Sequence, residues 1–222
     1  LAEAQAPALY PLVTATPLPP SISGKTSKPD METLFNLAET VAKSIIQENV
    51  DTTIDGLIDN NSEGQSSLMG YPIIGTDNDL SQMRNNFNYA FIAVGQLTSP
   101  QPRKKIYNLL SELEYTLPVI ISPHAYVSKY STINDGTIVM NGAIINSNVN
   151  IGSNCIINSR ALIEHDVTIE NHCHISTGVT LNGGVKVLDN TFIGSGAVIR
   201  ESITLNSNSI ISMGSIVKKI LH

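Results

Sequence analysis

The stretch that decides the fold runs from Ile151 to Val217 and reads "IGSNCIINSRALIEHDVTIENHCHISTGVTLNGGVKVLDNTFIGSGAVIRESITLNSNSIISMGSIV". Every sixth residue in it is aliphatic without a gap, and the residue four places later is mostly small or β-branched. Neither a strand period of 2 nor a helix period of 3.6 produces this pattern, whereas a six-residue repeat is typical of a parallel β-helix. The aliphatic positions are Ile151, Ile157, Ile163, Ile169, Ile175, Leu181, Val187, Ile193, Ile199, Leu205, Ile211 and Val217.

The repeat predicts a coil with three flat sides, one hexad to a side, so that three hexads close one turn. Each aliphatic side chain points inward and stacks on its equivalent in the next coil, which is worth roughly 1.5–3 kcal/mol per side chain. Gly and Asn suit the corners because they tolerate a positive φ. Cys155 and Cys173 are three hexads apart, which is one full turn. They are therefore predicted to stack as small buried interior residues rather than as reactive thiols.

The rest of the chain predicts two further segments. Residues 30–118 alternate helix and strand patterns, which indicates a small parallel, Rossmann-like sheet covered by helices. Residues 1–29 hold six prolines and predict an extended arm or linker. Residues 119–222 form the coils, and from 119 to 150 the repeat is looser, with single-residue insertions. The predicted fold class is an α/β N-terminal domain followed by a left-handed parallel β-helix.

Composition narrows the classes of function. The net charge is −6, and no basic stripe is present, which argues against nucleic acid as a partner. No continuous apolar run is long enough for a bilayer, so no membrane span is expected. The N-terminus lacks the features of a signal peptide, so a cytoplasmic location is expected. Charged residues at 14% and aromatic residues at 5% suit a solenoid with an aliphatic interior.

The unusual side chains of the coils lie in "RALIEHDVTIENHCHIS", residues 160–176. His165 takes the third place of the hexad that begins at Ile163, a corner position that points away from the core. Glu164 and Asp166 flank it. A carboxylate beside an imidazole fixes its tautomer and raises its basicity, which a general base requires. A single exposed His is usually an ordinary surface residue, but this one lies in an acidic cluster on a rigid scaffold, where functional sites are enriched.

A metal site is not expected in the coils. A zinc centre of the carbonic anhydrase kind needs three neutral imidazoles at one point. Here they would have to be His165, His172 and His174. His172 and His174 are separated by a single residue, and the corner geometry directs them away from each other.

The segment "IEHDVTIENHCHISTGVTLNGGVKV", together with the hexad array, resembles the hexapeptide-repeat acetyltransferases that act on nucleotide-linked 4-amino sugars and on sialic acids. The resemblance extends through most of the chain from about residue 32. It includes "AETVAKS", "GLIDNN", "YPIIGTDNDL", "FIAVG" and "RKKIYNLL".

The resemblance implies a homotrimer that binds acetyl-CoA, its co-substrate, between neighbouring β-helices. It implies that His165 is the catalytic base and that Asp166 supports its basicity. The implied cofactor contacts are His174, Ser195, Gly196, Met213 and Gly214, although glycines there also suit coil corners. The implied substrate contacts are Asp59, Asn60 and Gly95, which also suit ordinary turns.

The predicted reaction is acetyl transfer from acetyl-CoA to the amino group of a nucleotide-linked amino sugar, of the UDP-4-amino-sugar type, for bacterial surface glycan synthesis. The transfer is direct, and a donor near His174 or a backbone N–H steadies the oxyanion. The alternatives are an O-acetyltransferase for a sialic-acid-like sugar, a γ-type carbonic anhydrase and a non-catalytic scaffold. The family's Gly-rich phosphate turn is matched here by "SKPDMETLF", which has no glycine pair and favours O-acetylation.

Overall fold

The structure is a computed structural model that describes residues 12–15, 54–60, 66–68, 70–96 and 99–219. By Cα proximity the chain divides into two units, Leu1–Val94 with Asn108–Leu117, and Gly95–Tyr107 with Pro118–His222. Residues 95–107 therefore group with the coils, although the sequence assigns them to the N-terminal domain. The helix predicted to begin near Asp30 lies outside the described residues.

The N-terminal unit is built on a small sheet, as predicted. Strand β1 lies between β2 and β5 and pairs in parallel with both. Strand β4 extends the parallel sheet beyond β2, and β3 pairs with β4 in the antiparallel sense. Its strands are β1 (Leu12–Ala15), β2 (Gly56–Asp59), β3 (Ser67–Leu68), β4 (Tyr71–Gly75) and β5 (Ala90–Ile92), and its described helices are a 3-10 turn (Asp77–Asp79) and α1 (Leu80–Met83). Helix α2 (Gln101–Glu112) is divided between the two units.

Strand β1 corrects the prediction for residues 1–29. The arm or linker is wrong for Leu12–Ala15, which form a central strand. The prolines at 11 and 17 flank this segment and do not interrupt it, so "LVTA" keeps every backbone donor that two neighbouring strands need. Strand β1 ends at Ala15, and "SKPDMETLF" begins at residue 27, outside the described residues. The match of that segment to the family's Gly-rich turn therefore stays a prediction.

The described part of the coil unit contains seventeen short strands, arranged in three parallel sheets in which each strand pairs with the one three hexads later, as Ile144 does with Leu162. Sheet 1 contains β7 (Tyr126–Val127), β10 (Ile144–Ile145), β13 (Leu162–Ile163), β16 (Thr180–Leu181), β19 (Val198–Ile199) and β22 (Ile216–Val217). Sheet 2 contains β8 (Thr132–Ile133), β11 (Asn150–Ile151), β14 (Thr168–Ile169), β17 (Lys186–Val187) and β20 (Thr204–Leu205). Sheet 3 contains β6 (Ile120–Ile121), β9 (Ile138–Val139), β12 (Ile156–Ile157), β15 (His174–Ile175), β18 (Phe192–Ile193) and β21 (Ile210–Ile211).

The predicted left-handed parallel β-helix is confirmed, and it is more regular than the sequence indicates. The strands keep the hexad spacing from β6 onward, so the insertions expected between 119 and 150 are wrong. Only the inward position is constrained by stacking, and it stays aliphatic there while the corner residues vary. These earlier inward residues are Ile121, Val127, Ile133, Val139 and Ile145.

From Gly136 onward, each corner of the coils contains residues with a positive φ, between 57° and 70°, which recur at intervals of one full turn. Gly and the short polar residues adopt this conformation most readily, and Arg160 and His172 also adopt it here. Corner 1, between sheets 1 and 2, has Asn148, Asp166, Gly184 and Ser202. Corner 2, between sheets 2 and 3, has Gly136, Asn154, His172, Asn190 and Asn208. Corner 3, between sheets 3 and 1, has Gly142, Arg160, Gly178, Gly196 and Gly214.

The two cysteines are buried and stacked inside the coils, as predicted, and they also act as hydrogen-bond donors. The Cys155 thiol donates to the Glu170 carbonyl at 3.0 Å, and the Cys173 thiol to that of Leu188 at 3.2 Å. Thr137 and Thr191 make the same contact in the coils before and after, again to a carbonyl of the following coil. Hydrogen bonding to Cys155 and burial raise the pKa of Cys173, so it stays a thiol.

Candidate active site

His165 and Asp166 form a hydrogen-bonded pair at corner 1. The His165 Nδ1–H donates to Asp166 Oδ2 at 2.7 Å. The side chains are 66% and 54% exposed, so the imidazole points outward as the hexad count predicts. Asp166 has a φ of 63°, a conformation that Asp and Asn tolerate better than most residues. The corner thus brings the carboxylate to the ring without help from a distant segment.

Two asparagines of the preceding coil donate hydrogen bonds to the carboxylates on either side of His165. The Asn148 side-chain amide donates to Asp166 Oδ1 at 2.6 Å, and that of Asn146 donates to Glu164 Oε2 at 3.0 Å. Sequence reasoning missed both asparagines. The signal was available, because Asn146 and Asn148 precede Glu164 and Asp166 by one full turn.

The electrostatics of the pair suit a proton acceptor. The hydrogen bond to Asp166 raises the pKa of His165, and the negative charges of Asp166 and Glu164 act in the same direction. Hydrogen bonds from Asn148 and His165 lower the pKa of Asp166, so its carboxyl is ionised at neutral pH. Since Nδ1 keeps its proton for Asp166, Nε2 is the basic nitrogen. The arrangement can remove a proton from a nucleophile held beside this corner.

The coil after the pair leaves space for the imidazole. A Cβ at Gly183 would lie 2.8 Å from His165 Cε1 and 2.9 Å from Nε2, closer than real Cβ atoms approach. The Gly184 N–H donates to the His165 carbonyl at 3.0 Å, which fixes the backbone of one coil to the other. Gly183 is a further residue that sequence reasoning missed, although it follows His165 by one full turn.

His174 lies on the outer side of sheet 3, and it is only 5% exposed. Its Nδ1–H donates to the Gln96 carbonyl, and its Nε2 accepts from the Asn158 amide at 3.3 Å. Burial lowers the pKa of His174 to about 4, so the ring is neutral. Because Nε2 accepts, this imidazole is not arranged to donate to an oxyanion. A backbone N–H is the better-suited donor of the two that the sequence suggested.

The other four predicted cofactor contacts lie together along corner 3, on two successive coils. Gly196 and Gly214 each have a φ of 68°, and a Cβ at either would meet no atom within 4 Å. The Gly214 N–H donates to the Ser195 carbonyl at 2.9 Å, and Met213 is 78% exposed. The glycines thus satisfy the corner and also leave an open backbone surface. His174 is separate from them, because it lies on the face of sheet 3.

The predicted substrate residues are divided between the units. Asp59 ends β2 and is 8% exposed, at the carboxyl edge of the parallel sheet where ligands sit in open α/β folds. Asn60 is engaged with Asp77, since it accepts from the Asp77 N–H at 2.9 Å and donates to Oδ2 at 2.7 Å. Gly95 groups with the coils by Cα proximity.

The segment before the coils contributes buried polar side chains that no sequence pattern predicted. Arg103, on α2, is fully buried, and it donates to the carbonyls of Gly136 at 3.0 Å and Asn154 at 3.4 Å. The Gln96 amide donates to the His172 carbonyl at 3.2 Å. These acceptors belong to three successive coils of corner 2, so this segment is attached along that corner.

Within the described residues, no group of three or more His, Cys, Asp or Glu side chains could hold a metal ion. His165, His172 and His174 lie on corner 1, on corner 2 and on the face of sheet 3. His172 Nδ1 is 3.0 Å from the Asn154 amide nitrogen, so its ring is engaged within corner 2. A search of the same residues finds no helix with the length and apolar character to span a membrane.

Three family profiles match the chain. The PglD N-terminal domain matches residues 38–110, the bacterial transferase hexapeptide (six repeats) matches 148–183, and the hexapeptide repeat of succinyl-transferase matches 184–219. Two of these profiles describe hexapeptide-repeat transferases, and they match residues of the β-helix. These matches agree with the resemblance noted from the sequence to the hexapeptide-repeat sugar acetyltransferases, which is thereby confirmed. A search of curated protein sequences finds no match.

Solved structures agree over nearly the whole chain. PerB from Caulobacter crescentus, in complex with CoA and GDP-perosamine, is 25% identical with a TM-score of 0.76, over 94% of this chain and 90% of that one. The acetyltransferase domain of PglB from Neisseria gonorrhoeae, in complex with acetyl coenzyme A, is 22% identical with a TM-score of 0.77, over 96% and 93%. WeeI from Acinetobacter baumannii is 19% identical with a TM-score of 0.70, over 94% and 92%.

Proposed function

We propose that this chain transfers the acetyl group of acetyl-CoA to the amino group of a nucleotide-linked amino sugar, in the synthesis of a bacterial surface glycan. The observation that carries the proposal is the exposed His165–Asp166 pair, with its 2.7 Å hydrogen bond on a rigid coil corner. The similarity to PerB, which binds CoA and GDP-perosamine, supports this substrate class.

The chemistry follows from the two nitrogens of His165. The sugar amine attacks the thioester carbonyl, and Nε2 takes the proton that the amine must lose. The C–S bond then breaks, and CoA leaves as its thiolate, which takes up a proton. Asp166 holds Nδ1–H throughout, so Nε2 remains the basic nitrogen. Such general-base help contributes about 10²–10⁴ in rate. No acyl-enzyme is required, because the thioester is already activated.

The proposed acetyl-CoA site follows corner 3. Ser195, Gly196, Met213 and Gly214 are the proposed contacts, because the two glycines leave backbone groups open to a ligand. His174 is the proposed contact nearest the acetyl group, as a neutral ring whose Nε2 accepts. Asp59, Asn60 and Gly95 are the proposed sugar-nucleotide contacts. The carboxyl edge of the N-terminal sheet supports the first of these.

A homotrimer is proposed because the outward side of sheet 1 is apolar. Along it lie Tyr126 at 59% exposure, Ile144 at 41% and Ile216 at 67%, whereas the outward residues of sheet 2 include Asn150 and Lys186. A second copy of the chain is the proposed occupant, and cyclic closure of three copies covers every such face. The Ile144→Lys variant should lower the mass measured by sedimentation, while Asn150→Lys on sheet 2 should not. A trimer unaffected by Ile144→Lys contradicts this assignment. The proposed location of the trimer is the cytoplasm.

The test is acetyl transfer by His165→Ala, followed through the free thiol of released CoA. The acceptors are UDP- and GDP-linked 4-amino sugars, with free sialic acid as the O-acetylation alternative. We expect wild-type transfer to an amino sugar and a loss of at least about 100-fold in His165→Ala. His124→Ala, at an exposed position of the early coils, is the matched control. Near-wild-type transfer by His165→Ala refutes the role of the base.

The alternative is O-acetylation of a sialic-acid-like sugar, which the sequence favours through "SKPDMETLF" in place of the Gly-rich turn, a segment outside the described residues. A clear preference for free sialic acid over both nucleotide-linked sugars would favour this alternative.

A further inference from the structure

The reactive pair at corner 1 is bounded by residues of the coils on either side of it. His165 and Asp166 occupy one coil, Asn148 lies in the coil before, and Gly183 lies in the coil after. Strand pairing fixes the three coils in register, as Ile145 with Ile163 and Ile163 with Leu181. The position of the imidazole therefore depends on residues one coil away in both directions.

We propose that Asn148 and Gly183 are positioning residues for the base of the acetyl transfer: Asn148 holds the Asp166 carboxylate from one side, and Gly183 keeps the space that the imidazole occupies on the other. The inference rests on the proposed function only in treating His165 as the base of the acetyl transfer. The placement of the ring can be measured without any substrate.

Gly183 acts by lacking a side chain. The three atoms nearest to a Cβ at this position all belong to the His165 ring, at 2.8, 2.9 and 3.4 Å. Gly183 is not among the residues with positive φ, so alanine is compatible with its backbone. A methyl group here would therefore leave the coil intact and displace the movable partner, the imidazole. Displacement moves Nδ1 away from Asp166 and Nε2 away from the acceptor amine.

Asn148 acts through a hydrogen bond. Its amide donates to Asp166 Oδ1 at 2.6 Å, and His165 donates to Oδ2, so each carboxylate oxygen has its own donor. An exposed carboxylate without the Asn148 contact samples other rotamers, and the bond to His165 is formed for less of the time. Asn148 has a φ of 60°, which Gly adopts without strain. Asn148→Gly thus removes the amide while keeping the corner.

The first experiment is a double-mutant cycle of Gly183→Ala and His165→Ala, with kcat/KM for the sugar and thermal melting measured for each variant. Misplacing a catalytic group by about 1 Å can cost 100-fold, so we expect Gly183→Ala to lose about 10- to 100-fold in kcat, with little change in the KM for acetyl-CoA. In the His165→Ala background the same methyl should have no further effect. An equal loss in both backgrounds overturns the proposal.

The second experiment measures the His165 ring directly by NMR titration of the ¹³Cε1-labelled histidines in the intact protein. The charged groups that act on this ring are Asp166 and Glu164, and they place its pKa above the ordinary 6.5. In Gly183→Ala and in Asn148→Gly, the pKa should fall toward that value because the Asp166 contact is lost or weakened. Asn208→Gly makes the same change at a positive-φ position of corner 2 and should leave it unaltered.

For Asn148→Gly we expect kcat/KM to fall about 3- to 10-fold, less than for a buried charged hydrogen bond because the pair is exposed. A titration curve indistinguishable from that of Asn208→Gly overturns the role of Asn148, and an unchanged curve in Gly183→Ala overturns that of Gly183. These outcomes are separate from the failure of the proposed function. If wild-type protein acetylates no amino sugar while the curves shift as expected, the positioning holds and the reaction is wrong.

Discussion

Arg103 should be one of the most costly residues to replace in the coil unit. Its side chain is fully buried on α2, and it reaches the carbonyls of Gly136 and Asn154 on successive coils of corner 2. Burial lowers its pKa from 12.5 to about 9, so the guanidinium is still charged at neutral pH. Burial of the charge opposes folding, and the hydrogen bonds to the coils offset this cost.

The magnitude for Arg103→Met follows from these opposing effects. The substitution leaves the two carbonyls without this donor, at about 1–3 kcal/mol each, and it also removes the buried charge. We expect a net loss of about 2–4 kcal/mol in the free energy of unfolding. Arg103→Lys keeps the charge, but a compact ammonium cannot serve both carbonyls in a fixed fork. Lysine should therefore not restore the stability.

The assay is urea unfolding followed by far-UV circular dichroism, with hydrogen exchange of peptides spanning residues 131–160 to locate the change. Arg200→Met is the matched control, because Arg200 is 59% exposed and pairs with the neighbouring Glu201; it should cost less than about 1 kcal/mol. Our reasoning is refuted if Arg103→Met is no more destabilising than this control, or if Arg103→Lys has the stability of the wild type.

Two further predictions concern the pair at corner 1 and the interior thiols. Asp166→Asn keeps a residue that tolerates the φ of 63° but replaces the charged acceptor that raises the pKa of His165 with a neutral amide. Since the neutral ring is the active form, the acidic limb of the pH–kcat/KM profile should move to lower pH, and kcat/KM at its plateau should fall; an unmoved limb contradicts the pairing. Cys173→Ala removes a buried donor to the Leu188 carbonyl and should cost about 1–3 kcal/mol in thermal or urea unfolding. Cys173→Thr should cost less, because Thr137 and Thr191 make the same contact in other coils; equal losses for the two variants contradict the donor role.

The sequence alone determined the β-helix and the exposure of His165. Both follow from local counting, because the stacking of coils demands an aliphatic residue at each inward position, and the distance from Ile163 then places His165 on a corner. The same counting could have found Asn148 and Gly183, since neighbours in a three-sided coil are one full turn, or three hexads, apart. Both residues were missed because the spacing of one full turn was used to find neighbours among the interior residues, but not among the corner residues around His165.

Only the tertiary structure decided the rest. No periodic pattern marks Leu12–Ala15 as a central strand, because the position of so short a strand is fixed by its pairing with β2 on one side and β5 on the other. Arg103 sits on an ordinary amphipathic helix, and its burial exists only because the coil carbonyls of Gly136 and Asn154 meet it. Such contacts join segments far apart in the chain. A sequence repeat can be recognised from its own spacing, whereas a contact between two distant segments depends on how the whole chain folds.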